Sequence, residues 1–136
     1  MSQYHMSPAK SPREIEVLIV EDELIGAAHI KTIIHELGFS VIGIAATVET
    51  ALEIIDSGRK IDCATLDVRL DRDLSSPIAS ALLKRGIPFV VCSAYNIFLR
   101  DFPRVPILQK PFTAPELADA LSRAMGIPAG KASPFP

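Results

Sequence analysis

The chain has 136 residues, enough for one domain that buries a core without disulfide or metal staples. Its 14 Lys and Arg stand among 16 Asp and Glu for a formal charge of −2, which argues against the clustered positive surface that nucleic-acid binding requires. The opening MSQYHMSPAKSPRE is not a secretory signal, and no run approaches the roughly 18 apolar residues of a membrane span, so a soluble cytoplasmic protein without membrane contact is expected.

Hydrophobic residues make up 49% of the chain and aromatics only 6%, with no Trp. A core of Ile, Val, Leu and Ala suits an α/β sheet covered by helices. Residues 1–14 are polar, with Pro8 and Pro12, and read as a loose arm. Ile15 to Val20 then reads as a strand buried on both faces. From Glu23 the period changes: Leu24, Ala27, Ala28, Ile30, Ile34 and Leu37 form a helical stripe, with Gly38 where a C-terminal cap is favoured.

The second strand runs from Ser40 to about Ala46. A helix follows, with Thr47 as N-cap, Ala51, Leu52 and Ile55 on its inner face, and Gly58 at its end. Cys63 to Leu66 is a third strand that stops at Asp67. Ser76-Pro77 puts a capping hydroxyl before a proline at the first helical position, opening a helix over Ile78, Ala81 and Leu82 that closes near Gly86. Pro88 to Cys92 is the fourth strand. Between Tyr95 and Pro106, Pro103 and Pro106 leave room for about one or two turns, so a fourth helix there is shortened or missing. A short strand over Val105 to Leu108 comes next. Thr113 and Glu116 match the reciprocal capping box of a final helix carrying Leu117, Ala120, Leu121 and Ala124 and ending by Gly126. The domain therefore spans 15–127, with a tail over 128–136.

This alternation argues for a parallel sheet with right-handed crossovers and helices on both faces. In such a sheet the groups that end the strands gather at one edge: Glu21 and Asp22, Asp67, Ser93, and Lys110 followed by Pro111. Carboxylates brought together repel, by about 4 kcal/mol per pair at ~4 Å and an effective dielectric near 20, so they coexist only with a cation. Oxygen ligands of this kind suit Mg²⁺, with Mn²⁺ as the alternative ion. Asp67 stands alone at its strand end, and a carboxylate can act as the nucleophile that forms an aspartyl phosphate. Taken singly, each residue has a plainer reading as a turn residue or a helix-terminus charge. Their joint occurrence in this order carries the argument.

That ordered set resembles the receiver domain of bacterial two-component response regulators over nearly the whole stretch from Ile15 to Ile127. The resemblance implies a doubly wound, five-stranded parallel sheet of order 2-1-3-4-5 with its ligand site at the carboxyl ends of strands 1 and 3. It also implies that Asp67 is the phosphoacceptor and that the phosphohistidine of a sensor histidine kinase or phosphotransfer protein is the donor. Glu21, Asp22, Asp67 and the backbone carbonyl of Arg69 would hold the metal. Lys110, Ser93 and Ala94 would bind the phosphoryl oxygens, with Ser93 moving inward as the switch. The Lys110-Pro111 bond would be cis. Output would pass to a downstream protein of unknown identity, from a monomer or weak dimer.

Many receivers carry an aromatic three positions before the lysine, where this chain has Ile107. Instead Tyr95 follows Ser93 by two residues. With Pro106-Ile107-Leu108-Gln109-Lys110-Pro111-Phe112, this is similar to a mostly stand-alone alphaproteobacterial subgroup with a Phe-Ala-Thr-Gly-x-Tyr type motif. Cys92, Ser93 and Ala94 stand where that subgroup favours Ala, Thr and Gly. Tyr95 is the expected switch aromatic, and the apolar stretch Asn96 to Phe102 suits a partner surface or the closing of the core.

Three other features have plain readings. His29 and His35, six apart, are surface or partly covered side chains rather than a metal pair. Asp71 and Asp73 belong to a solvated loop. Cys63 and Cys92 lie in strands, where cysteine behaves as a small buried hydrophobe. The main rival function is a degenerate receiver that is never phosphorylated and works as a protein-binding module. A haloacid-dehalogenase type hydrolase would need an acid where Arg69 stands, and a flavin-binding relative would need a phosphate-cradling loop after strand 1.

Overall fold

The computed structural model describes residues 15–70, 73–93 and 105–127. The expected arm and tail, the shortened fourth helix, Ala94, Tyr95 and the stretch from Asn96 to Phe102 lie outside these described residues.

Elements follow in the order β1 (Glu16–Val20), α1 (Leu24–Glu36), β2 (Ser40–Ala45), α2 (Val48–Asp56), β3 (Cys63–Asp67), β4 (Arg69–Leu70), β5 (Asp73–Leu74), α3 (Ser76–Lys84), β6 (Phe89–Ser93), β7 (Ile107–Gln109) and α4 (Ala114–Ala124). Five strands make one sheet in the order β2-β1-β3-β6-β7. Every pairing within it is parallel. Counting only those five, this is the expected order 2-1-3-4-5 of a doubly wound sheet.

Alternation along the strands assigns each side chain to one of two cores. Val17 and Ile19 of β1, Cys63 of β3, and Val90 and Cys92 of β6 pack with Ile30, Ile33 and Ile34 of α1 and Leu117, Ala120 and Leu121 of α4. Leu18, Val20, Ala64, Leu66, Phe89 and Val91 point the other way, onto Ala51 and Ile55 of α2 and Ile78, Ala79 and Leu82 of α3. Fully burying one such side chain contributes about 2 kcal/mol, and both faces of the sheet are covered, as a parallel sheet demands.

The helix ends follow local chemistry. Thr47 Oγ1 accepts from the Thr50 N–H at 3.1 Å, and Gly38 and Gly58 close α1 and α2 with φ of 84° and 83°, a conformation costly for side-chain-bearing residues. At α4 the Thr113 hydroxyl accepts from the Glu116 N–H while the Glu116 carboxylate accepts from the Thr113 N–H at 2.8 Å, a complete capping box. Thr113→Ala is therefore expected to cost about 1 kcal/mol in urea unfolding, and an unchanged midpoint would show the box to be energetically silent.

Three local expectations need correction. The N-cap of α3 is Ser75, whose side chain makes no capping bond, so Ser76 is the first helical residue and Pro77 the second. Leu24 and Ala28 are exposed, Leu24 at 87% together with Ile25 at 86%, because the face of α1 turned to the sheet is centred on Ala27, Ile30, Ile33 and Ile34 and these positions lie off it. Leu70 and Asp73 pair in a small antiparallel ladder, β4 against β5, where an open loop is expected.

Both cysteines are buried, and burial is the main reason their thiols are pushed up to about 12. Since only the thiolate is nucleophilic, the native protein at pH 8 should react with an aromatic disulfide reagent roughly a thousandfold more slowly than the urea-unfolded chain. Fast native labelling would contradict this burial.

Candidate functional site

The parallel register of β1 and β3 pairs Val20 with Leu66, so the next residues, Glu21 and Asp67, emerge side by side at the carboxyl edge. Asp22 follows Glu21. Ligand oxygens of Glu21, Asp22 and Asp67 all lie within 4.8 Å of one another. Asp67 also pairs with Cys92 of β6, which puts Ser93, buried at 1% exposure, one step further along that strand. Ser93 pairs in turn with Gln109 of β7, and its carbonyl accepts from the Lys110 N–H at 2.7 Å. Register alone thus brings Glu21, Asp67, Ser93 and Lys110 to neighbouring strand ends. The Lys110-Pro111 peptide is cis.

Lys110 Nζ donates to Glu21 Oε1 at 2.7 Å and lies 3.6 Å from Asp67 Oδ2. The Glu21 side chain is fully buried, and its other oxygen, Oε2, accepts from the Glu23 N–H at 3.3 Å. Burial by itself lowers the Lys110 pKa, but the Glu21 hydrogen bond and the Asp67 charge outweigh it, and the net displacement is upward. Because the ammonium is held above its ordinary range, the stability that this pairing supplies is complete at neutral pH. It is lost as the pH rises through the displaced alkaline value.

Three carboxylates this close form a hard, all-oxygen donor set, and with oxygens all within 4.8 Å of one another the cluster fits a divalent-metal site. Arg69, named for its backbone carbonyl, opens β4 two residues beyond Asp67 at the same edge.

Comparison with known proteins agrees with this geometry. No protein-family profile matches the chain. The solution structure of SdrG from Sphingomonas melonis Fr1 is similar with a TM-score of 0.74 and 37% identity, covering 82% of this chain and 96% of that one. The chain belongs to the response regulator receiver family.

Within that family this receiver falls in the alphaproteobacterial branch to which its Pro106 to Phe112 ending points. SdrG has also been solved in a BeF3-activated conformation, which matches with a TM-score of 0.70 and covers 81% of this chain and 95% of that one. The phyllosphere-induced regulator PhyR of Methylorubrum extorquens is 29% identical over 115 residues. Those residues are 81% of this chain but only 43% of PhyR, so the receiver spans less than half of that relative's length. In fold it is also similar to the receiver domain of the Pseudomonas aeruginosa sensor histidine kinase PA1611, at 23% identity and a TM-score of 0.71, covering 82% and 98% of the two chains.

Two contacts of this receiver's site escape a reading of its sequence. Gly26, in the first turn of α1, faces the Glu21 carboxylate so closely that a Cβ there would stand 3.2 Å from its Cδ. The only signal in the sequence is a glycine inside a helical stripe, where alanine is the better helix former. The second is His29, exposed as expected but stacked on Phe112 with centroids 5.7 Å apart and planes at 25°. Spacing along one helix cannot reveal a partner from the opposite end of the chain.

Proposed function

We propose that this receiver accepts a phosphoryl group on Asp67 in a Mg²⁺-dependent reaction and signals through protein contacts that depend on that group. The observation that carries the reading is the placement of the Lys110 ammonium between two acids, 2.7 Å from Glu21 and 3.6 Å from Asp67, inside a carboxylate cluster of metal-binding dimensions. The donor would be the phosphohistidine of a sensor kinase or phosphotransfer protein. An Asp67 carboxylate oxygen attacks phosphorus, the P–N bond breaks with its electron pair returning to the imidazole, and an O–P bond forms in an acyl phosphate.

Each side chain has a distinct task in that transfer. Glu21, Asp22 and the Arg69 carbonyl would hold the metal, which would neutralise charge on the phosphoryl oxygens. Lys110 is already charged and close, so it supplies electrostatic stabilisation with little reorganisation. Ser93 donates its hydroxyl to a phosphoryl oxygen. The switch follows from new charge at Asp67, which competes with Glu21 for Lys110 and draws on Ser93. The printed descriptions of SdrG, activated by BeF3, and of the PA1611 receiver, with magnesium in its active-site cleft, support carrying this chemistry over.

Incubation with acetyl phosphate and Mg²⁺ tests the proposal by intact mass. The expected result is one added phosphoryl group, absent when the metal is chelated. No addition at millimolar donor would favour the non-phosphorylated binding module instead.

A further inference from the structure

Glu21 is the longer of the two acids that can end a strand here, and its carboxylate is buried and held at both oxygens. Oε1 is held by Lys110 Nζ at 2.7 Å and Oε2 by the Glu23 N–H at 3.3 Å, while the residue itself is 1% exposed. It also faces the backbone of Gly26 on α1. A methyl group at that position would meet Glu21 Cδ at 3.2 Å and both carboxylate oxygens at 3.4 Å. The approach to Cδ is tighter than ordinary van der Waals contact and those to the oxygens stand at its limit, and a carboxylate bound at both oxygens has little freedom to retreat.

We propose that Gly26 is a positioning residue: the missing side chain seats the Glu21 carboxylate between Lys110 and the Glu23 N–H, and so sets the affinity of the cluster for a divalent cation. The part that concerns the cation rests on the reading of Glu21 as a metal-orienting acid, whereas the packing part does not. Gly26 does not have the positive φ that explains glycines elsewhere in the chain, and in a helix alanine is favoured over it. Room for Glu21 is what a glycine supplies there. An aspartate at position 21 is one methylene shorter and should relieve the requirement, so the two positions are coupled.

A double-mutant cycle over wild type, Gly26→Ala, Glu21→Asp and the double variant measures that coupling. Each is melted in EDTA, and the affinity for Mg²⁺ alone is read by calorimetry. Gly26→Ala in the wild-type background should lower the melting temperature by a few degrees and weaken Mg²⁺ binding about tenfold. In the Glu21→Asp background the same change should raise the melting temperature and leave Mg²⁺ affinity within about twofold. Folding of the double variant where Gly26→Ala alone fails to fold would also support the assignment.

Equal shifts in the two backgrounds, or failure of both alanine variants to fold, would overturn it. Wild-type protein that binds no Mg²⁺ would sink the metal reading, while the melting cycle in EDTA would still decide the role of Gly26.

Discussion

Lys110→Met is expected to lower the stability of the metal-free protein by on the order of 3 kcal/mol, and to make much of that loss recoverable with Mg²⁺. The reason is the setting of Glu21. Its side chain is fully buried, and Lys110 holds it at 2.7 Å. Removing one member of a buried pair costs far more than the pair contributes, because the remaining charge has lost both water and partner. Here Asp22 and Asp67, with oxygens inside the same 4.8 Å cluster, add repulsion. Methionine keeps an unbranched stem of similar length, so the loss reports charge rather than packing. A divalent cation substitutes for the ammonium, and at ten times its dissociation constant it restores about 1.4 kcal/mol. Urea unfolding with EDTA and with Mg²⁺ measures both parts. A midpoint in EDTA equal to that of wild type would show that Lys110 does not neutralise the cluster.

Asp67→Asn should abolish covalent phosphorylation outright, because an amide oxygen is no nucleophile for phosphorus at neutral pH, whereas the carboxylate is. The control is stability. The substitution removes the repulsion of Asp67 with two neighbouring carboxylates but also its attraction to Lys110 at 3.6 Å. These are of similar size individually, so the metal-free variant should be on the order of 1 kcal/mol more stable than wild type. Intact mass after acetyl phosphate and Mg²⁺ reads the first effect, and urea unfolding in EDTA reads the second. A phosphoryl adduct on the folded Asn variant would move the acceptor to another residue and remove the foundation of the proposed function.

Sequence carries the architecture well because strand ends, helix stripes and glycine punctuation each have a short-range physical cause. The runs at Val17 to Val20, Cys63 to Leu66 and Phe89 to Cys92 are fully buried, and period-two alternation then settles which side chain meets which helix layer. The site follows from the same logic: once the order of the strands is set, Glu21, Asp22, Asp67 and Lys110 have one edge at which to meet. What could not be read depends on contacts between distant positions or on near-equal local choices. Ser75 and Ser76 offer the same hydroxyl, so the start of α3 is decided by packing rather than by capping. Leu24 and Ala28 fit the helical stripe in hydrophobicity, yet the buried face of α1 is centred on Ala27, Ile30, Ile33 and Ile34 and leaves both exposed. Glu21 lies 89 positions from Lys110, and nothing local in the chain announces which of the three acids the ammonium holds.

The sheet's outer strands have a consequence for how other molecules can approach. At one rim, β7 offers only three residues, entered directly from Pro106, which has no N–H to donate. At the other rim, β2 meets β1 with a register irregularity at Val17/Leu18, a kind of local kink that spoils a flat template. Neither rim therefore presents a long, flat template onto which a foreign backbone could zip, a shape that disfavours edge-to-edge self-assembly.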